Sequence, residues 1–152
     1  MRRFSIDSNI LIYAEGAVDT RRRDIAVSMI FGIGLERIVL PMQAAGETLR
    51  WMIRKGGLSK TDASRRVLWW MEMCMPAAVS VEAFRSALKL SAEHEFQIWD
   101  AVILAASAEA GVEFLLSEDM QHGFRWSGVT IINPFILTLE QRTVLAAGRI
   151  RH

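Results

Sequence analysis

A chain of 152 residues, 51% hydrophobic and 23% charged with only 3 prolines, has the length of one domain and a globular composition, which excludes intrinsic disorder. Its apolar runs fall short of the roughly 20 residues that a membrane span needs, Asp7, Asn9 and Glu15 break any secretory leader, and the single cysteine, Cys74, excludes an internal disulfide and a thiolate metal knuckle. The net charge of +1 hides an asymmetry: residues 1–66 carry 12 Lys+Arg against 7 Asp+Glu, the remainder 6 against 10, and 15 of the 18 basic residues are arginine, the cation whose planar fork pairs with phosphate oxygens. These features predict a single domain over residues 1–152, a reducing cytoplasmic location without membrane association, and Cys74 as a small core hydrophobe.

Phe4-Ser5-Ile6 reads as a short strand ending at Asp7, and Asn9 to Ala14 as a helical start. A second helix covers about Arg21 to Gly32; Arg37 to Leu40 is the second strand, stopped by Pro41, and Gln43 to Lys55 has helical spacing up to the turn Gly56-Gly57. The next helix opens at Ser59 or Thr61 as N-cap and runs to about Met73. Ala78 to Val81 is read as the third strand, followed by helices from Glu82 to about His94 and from Ile98 to Ala110. Glu113 to Ser117 and Val129 to Ile132 are the fourth and fifth strands, and Leu137 to Ala147 a closing helix. Short apolar strands alternating with helices imply an α/β fold with a parallel sheet covered on both faces.

The informative residues are acids in apolar surroundings. Asp7 follows the first strand and Asp119 the fourth; in an open parallel sheet the carboxyl ends of strands gather at one edge, where ligands bind. Asp100 opens a strongly apolar helix, and Glu47 lies early in the helix after the second strand. Each has an ordinary structural alternative: Asp7 as an N-cap, Asp119 as a turn residue, Asp100 as an acid favoured by the helix dipole, and Glu47 as a surface ion pair with Arg50. Their convergence is what points to chemistry. Two unit charges 4 Å apart cost about 4 kcal/mol at an effective dielectric of 20, so a cluster of four takes up protons or a divalent cation. Oxygen-only ligation favours Mg2+ or Mn2+ over zinc, and such an ion neutralises the charge that develops in phosphodiester hydrolysis.

Ile6-Asp7-Ser8-Asn9-Ile10-Leu11-Ile12-Tyr13, Glu47, Ile98-Trp99-Asp100-Ala101-Val102-Ile103, Leu115-Leu116-Ser117-Glu118-Asp119 and Ile132-Asn133-Pro134 together resemble the PIN-domain toxins of the VapC type, the toxin half of bacterial toxin–antitoxin pairs. The resemblance implies a three-layer α/β/α sandwich with a central parallel sheet of about five strands, and a Mg2+- or Mn2+-dependent endoribonuclease acting on structured RNA of the tRNA or rRNA class. It also implies a homodimer neutralised by a small antitoxin protein. Asp7, Glu47, Asp100 and Asp119 match the family's acidic metal-binding quartet, and Asn9 and Ser117 match positions that orient the acids or bound water. Glu118 is an extra acid without an assigned role, and Glu36, preceding the second strand, falls at the wrong end of the sheet.

Around this site Arg50, Arg54, Arg21 and Arg22 are candidates for an RNA-facing rim. The apolar run from Trp69 to Met75 covers nearly two helical turns and cannot all face inward, so Trp69, Trp70 and Met73 are read as a partner surface for antitoxin or a second copy. His94, His122 and His152 form no spaced ligand pair, and none is assigned to catalysis. Two alternatives remain. An aspartate-nucleophile phosphatase or phosphotransferase expects a second aspartate where Asn9 stands, and a catalytically silent PIN-like binding module expects a lost acid, whereas all four are present.

Overall fold

The computed structural model describes residues 2–148; His152 and the ends of the expected 1–152 domain lie outside them. Strand β1 (Phe4–Ile6) leads through Asp7 into helix α1 (Ser8–Ala14), followed by α2 (Thr20–Ile33), a 3-10 turn (Leu35–Arg37) carrying Glu36, and β2 (Ile38–Pro41). Next come α3 (Met42–Arg54), α4 (Lys60–Met73), β3 (Met75–Ala77), α5 (Val81–His94) and α6 (Ile98–Glu109). The chain closes with β4 (Phe114–Leu116), β5 (Arg125–Trp126), β6 (Val129–Ile132), a second 3-10 turn (Pro134–Ile136) and α7 (Leu139–Ala146).

The six strands form one sheet in the order β3-β2-β1-β4-β6-β5. Five run parallel, and β5 pairs antiparallel with β6. Side chains of β1, β2 and β4 are buried throughout, as expected for strands covered on both faces. Helix α6 lies against the sheet: Ala101 to Ser107 are all buried, and the Ser107 and Ser5 hydroxyls meet at 2.7 Å in the interior, satisfying two polar groups that would otherwise be costly to bury. Cys74 is buried, and no described helix is long and apolar enough to cross a membrane.

Two expectations are corrected. The third strand is Met75–Ala77 rather than Ala78 to Val81. Pro76 is tolerated there because β3 is an edge strand, while Ser80 accepts from the Ala83 amide as N-cap of α5, which removes Val81 from any strand. The sixth strand, β5, was not anticipated. It folds back through Ser127 (φ 47°) and Gly128 (φ 84°), and consecutive positive φ angles are what a tight two-residue hairpin needs.

The strand order reverses at β1, which pairs with β2 on one side and β4 on the other. This switch point opens a crevice at the carboxyl ends of the strands, where Asp7 follows β1 and Ser117 follows β4.

Candidate active site

Each acid reaches the crevice by a short local route. Asp7 leaves β1 with its amide bonded to the Leu116 carbonyl of β4 (2.9 Å) and serves as N-cap of α1, accepting from the Ser8 amide at 2.7 Å. The N-cap alternative therefore holds, and it leaves Asp7 at the crevice. Pro41 ends β2 and is itself the N-cap of α3, so no loop intervenes and Glu47 stays near the sheet edge. Asp100 sits in the first turn of α6, and Asp119 three residues beyond β4.

These four carboxylates share one cleft of about 500 Å³, lined also by Ser8, Gln43, Arg50, Gln97 and Trp99. A hydrogen-bond web holds Asp7, Glu47 and Asp119. Asp7 is 2% exposed; its Oδ2 accepts from Ser117 Oγ (2.7 Å) and from Asn9 Nδ2 (3.2 Å). The same Asn9 amide donates to Asp119 Oδ2 (3.1 Å), and Asn9 Oδ1 accepts from the Glu118 amide. Glu47 accepts from Ser8 Oγ (2.6 Å) and Gln43 Nε2 (2.9 Å). It makes no ion pair with Arg50, and among the described residues Arg50 has no acidic partner.

The electrostatics follow from this crowding. Burial pushes the Asp7 carboxyl up to about 7, with the Asp100 and Glu47 charges adding to it and the Ser117 and Ser8 hydrogen bonds opposing it. Burial likewise raises Asp100 to about 6, helped by Asp119 and Glu47. Burial disfavours the charged form of both carboxyls, and the neighbouring acids add to that. Among the described residues, no three His, Cys, Asp or Glu side chains already converge on a single ion position. What fits a hard divalent cation is the donor chemistry, all oxygen and net negative, rather than a closed cage.

Of the four arginines expected at the rim, Arg50 lines the cleft, and Arg21, Arg22 and Arg54 do not. Arg21 donates to the Phe135 carbonyl. Arg22 pairs with Asp19 and Glu118 and lies over the Tyr13 and Phe135 rings, and Tyr13 Oη also donates to Glu118 at 2.7 Å. Glu118 thus fastens the segment bearing Asp119 to α1 and α2. His122 accepts the Asn133 amide through Nδ1 and is absent from the cleft.

The aromatic patch is also divided. Trp69 and Met73 are each 44% exposed, but Trp70 is 4% exposed, its indole N–H donating to the Glu15 carboxylate that Arg66 also pairs. Trp70 is therefore core: one helical position away from Trp69 turns it about 100° around α4 and into the interior. Gln43, Gln97 and Trp99 were not singled out from the sequence. The spacing of Gln43 to Glu47, one turn apart, was the available signal.

The profile of the PIN domain family matches residues 5–124. The chain belongs to the PIN domain family. Solved structures similar to this PIN-domain chain include VapC20 of Mycobacterium tuberculosis, a toxin that cleaves the sarcin-ricin loop (15% identity, 74% of this chain and 86% of that one, TM-score 0.63). A toxin–antitoxin complex from Klebsiella pneumoniae matches at 17% identity over 86% and 96% (TM-score 0.65), and FitAcB from Neisseria gonorrhoeae at 13% over 88% and 99% (TM-score 0.66). At these identities the likeness is one of fold. No curated protein matches the chain significantly in sequence.

Proposed function

We propose that this PIN-domain chain is a Mg2+- or Mn2+-dependent endoribonuclease for structured RNA and the toxin of a toxin–antitoxin pair. The observation that carries the reading is the shared cleft of Asp7, Glu47, Asp100 and Asp119, with Asp7 buried and raised to about 7. In this reading the four carboxylates hold the cation, while Ser8, Asn9, Gln43 and Ser117 fix the carboxylate oxygens through the bonds described above. Arg50, without an acidic partner among the described residues, takes a substrate phosphate. When bound, the cation supplies water activation and neutralises charge on the phosphodiester.

The neighbours' composition extends the reading to partners. The Klebsiella structure is a toxin–antitoxin complex, and this chain has a groove of about 510 Å³ lined by Val27, Phe31, Arg65, Arg66, Trp69 and Trp70. We assign that groove to an amphipathic antitoxin helix, with a homodimer as the working assembly. Against an aspartate nucleophile stand the absence of lysine from the cleft lining and Asn9 in the place where that chemistry expects a second aspartate. The test is incubation of purified, antitoxin-free protein with structured cellular RNA, with Mg2+ or Mn2+ and with EDTA. Defined fragments that appear only with metal are expected; an intact RNA pool under all conditions would refute the nuclease reading.

A further inference from the structure

The aromatic residue of the cleft has no part in holding the acids. Trp99 stands next to Asp100 in the first turn of α6 and lines the cleft, yet it is 47% exposed, whereas Ala101 to Ser107 after it are all buried. It is propped rather than loose: the Phe84 ring of α5 lies 6.5 Å from it at 49°, and α5 packs along α6. The lining thus joins a wet aromatic surface, four acids and the guanidinium of Arg50.

We infer that Trp99 is a nucleobase-stacking platform, on which an unpaired base of the RNA strand adjacent to the phosphate held in the cleft lays its face. This rests on the nuclease reading above and adds a residue that positions the substrate. The chemistry is specific to the arrangement. A buried indole would be packing, and an exposed one far from the acids would mark a protein contact, but an indole at the lip of a phosphodiester-binding cleft meets the base when Arg50 meets the phosphate. Protein recognition of RNA uses unpaired bases splayed onto aromatic side chains in this way, and stacking tolerates every base because each has a π-face. The platform therefore selects unpaired structure at the cut site and leaves base identity to other contacts.

The competing occupant is a second copy of this chain, since Val81, Phe84 and Leu88 expose apolar surface on α5. The measurement is made on the whole protein in two arms. In EDTA, an unstructured RNA oligonucleotide carrying one 2-aminopurine is titrated with wild type, Trp99→Ala and Trp99→Phe; in Mg2+, steady-state cleavage of an RNA cut by the wild type separates KM from kcat. Light scattering gives the oligomeric state of each variant. Trp99→Ala should weaken oligonucleotide binding and raise KM by about 5- to 150-fold with kcat little changed, Trp99→Phe should recover most of the loss, and the oligomeric state should not move. Equal binding and KM in Trp99→Ala would overturn the platform, and so would a loss that tracks dissociation of an oligomer. Trp99-dependent quenching of 2-aminopurine in a protein that cleaves no RNA would support the platform and remove the nuclease reading.

Discussion

Substituting Asp100 by Asn should stabilise the metal-free protein at alkaline pH. The Asp100 carboxyl is raised from 3.8 to about 6, by burial first and then by Asp119 and Glu47, so between these values the native state binds more protons than the unfolded one. The associated stability is complete below about pH 4 and lost as pH rises through about 6. At about 1.4 kcal/mol per tenfold the full loss would be about 3 kcal/mol; partial exposure to solvent roughly halves it, and losing an anion in the first turn of α6 returns about 0.3–1 kcal/mol. The net expectation is a gain of about 1 kcal/mol for Asp100→Asn at pH 8 in EDTA, or about 2–4 °C in melting temperature, vanishing near pH 4. Saturating Mg2+ should reverse the order, because the ion stabilises the wild type by mass action. Thermal melts at both pH values, with EDTA and with Mg2+, decide it. An Asp100→Asn protein equally or less stable at pH 8 in EDTA would refute the repulsion argument.

The divided tryptophan pair gives a second expectation. Trp70→Ala should cost roughly 3–5 kcal/mol and lower the melting temperature by about 10 °C, whereas Trp69→Ala should leave the melt unchanged and weaken antitoxin binding in a titration. Arg50→Ala should lower RNA affinity and reduce the slope of log affinity against log salt by about 0.7–1, with cation affinity unchanged in calorimetry. Because Asp7 and Asp100 are raised to about 7 and about 6, a cation must displace their protons. Its affinity should climb from pH 5 to pH 8, with proton release detectable by comparing buffers of different ionisation enthalpy. An affinity independent of pH would contradict those raised values.

Much of the sheet could be read along the chain because β1, β2 and β4 are buried on both faces, so β2 and β4 appear as continuous apolar runs and β1 as an apolar run broken only by Ser5. The third strand was misread for a physical reason: its residues Met75-Pro76-Ala77 include a proline, which only an edge position accommodates, and edge position is a property of the whole sheet. The hairpin of β5 and β6 was hidden by length, since Arg125 and Trp126 are too few to show alternation; Ser127-Gly128 was its local sign. At the site, the positions of Asp7 and Asp119 were legible from their places after strands, that of Asp100 from its helix start, and that of Glu47 from its place early in the helix after the second strand. The bonding between them was not. Whether Glu47 turns to Arg50 or to Ser8 depends on how α3 is rotated against α1, and whether Arg22 faces RNA or Glu118 depends on where the segment after β4 returns. Neither is written in spacing along one element.

The central claim, that the four acids form one divalent cation site, is tested most directly by calorimetric titration of Mn2+ and Mg2+ at pH 8 into wild type, Asp7→Asn and Asp119→Asn. Saturable binding to the wild type, weakened at least about tenfold in both variants, is the predicted result. Binding that is absent from the wild type, or unchanged by either substitution, would contradict it.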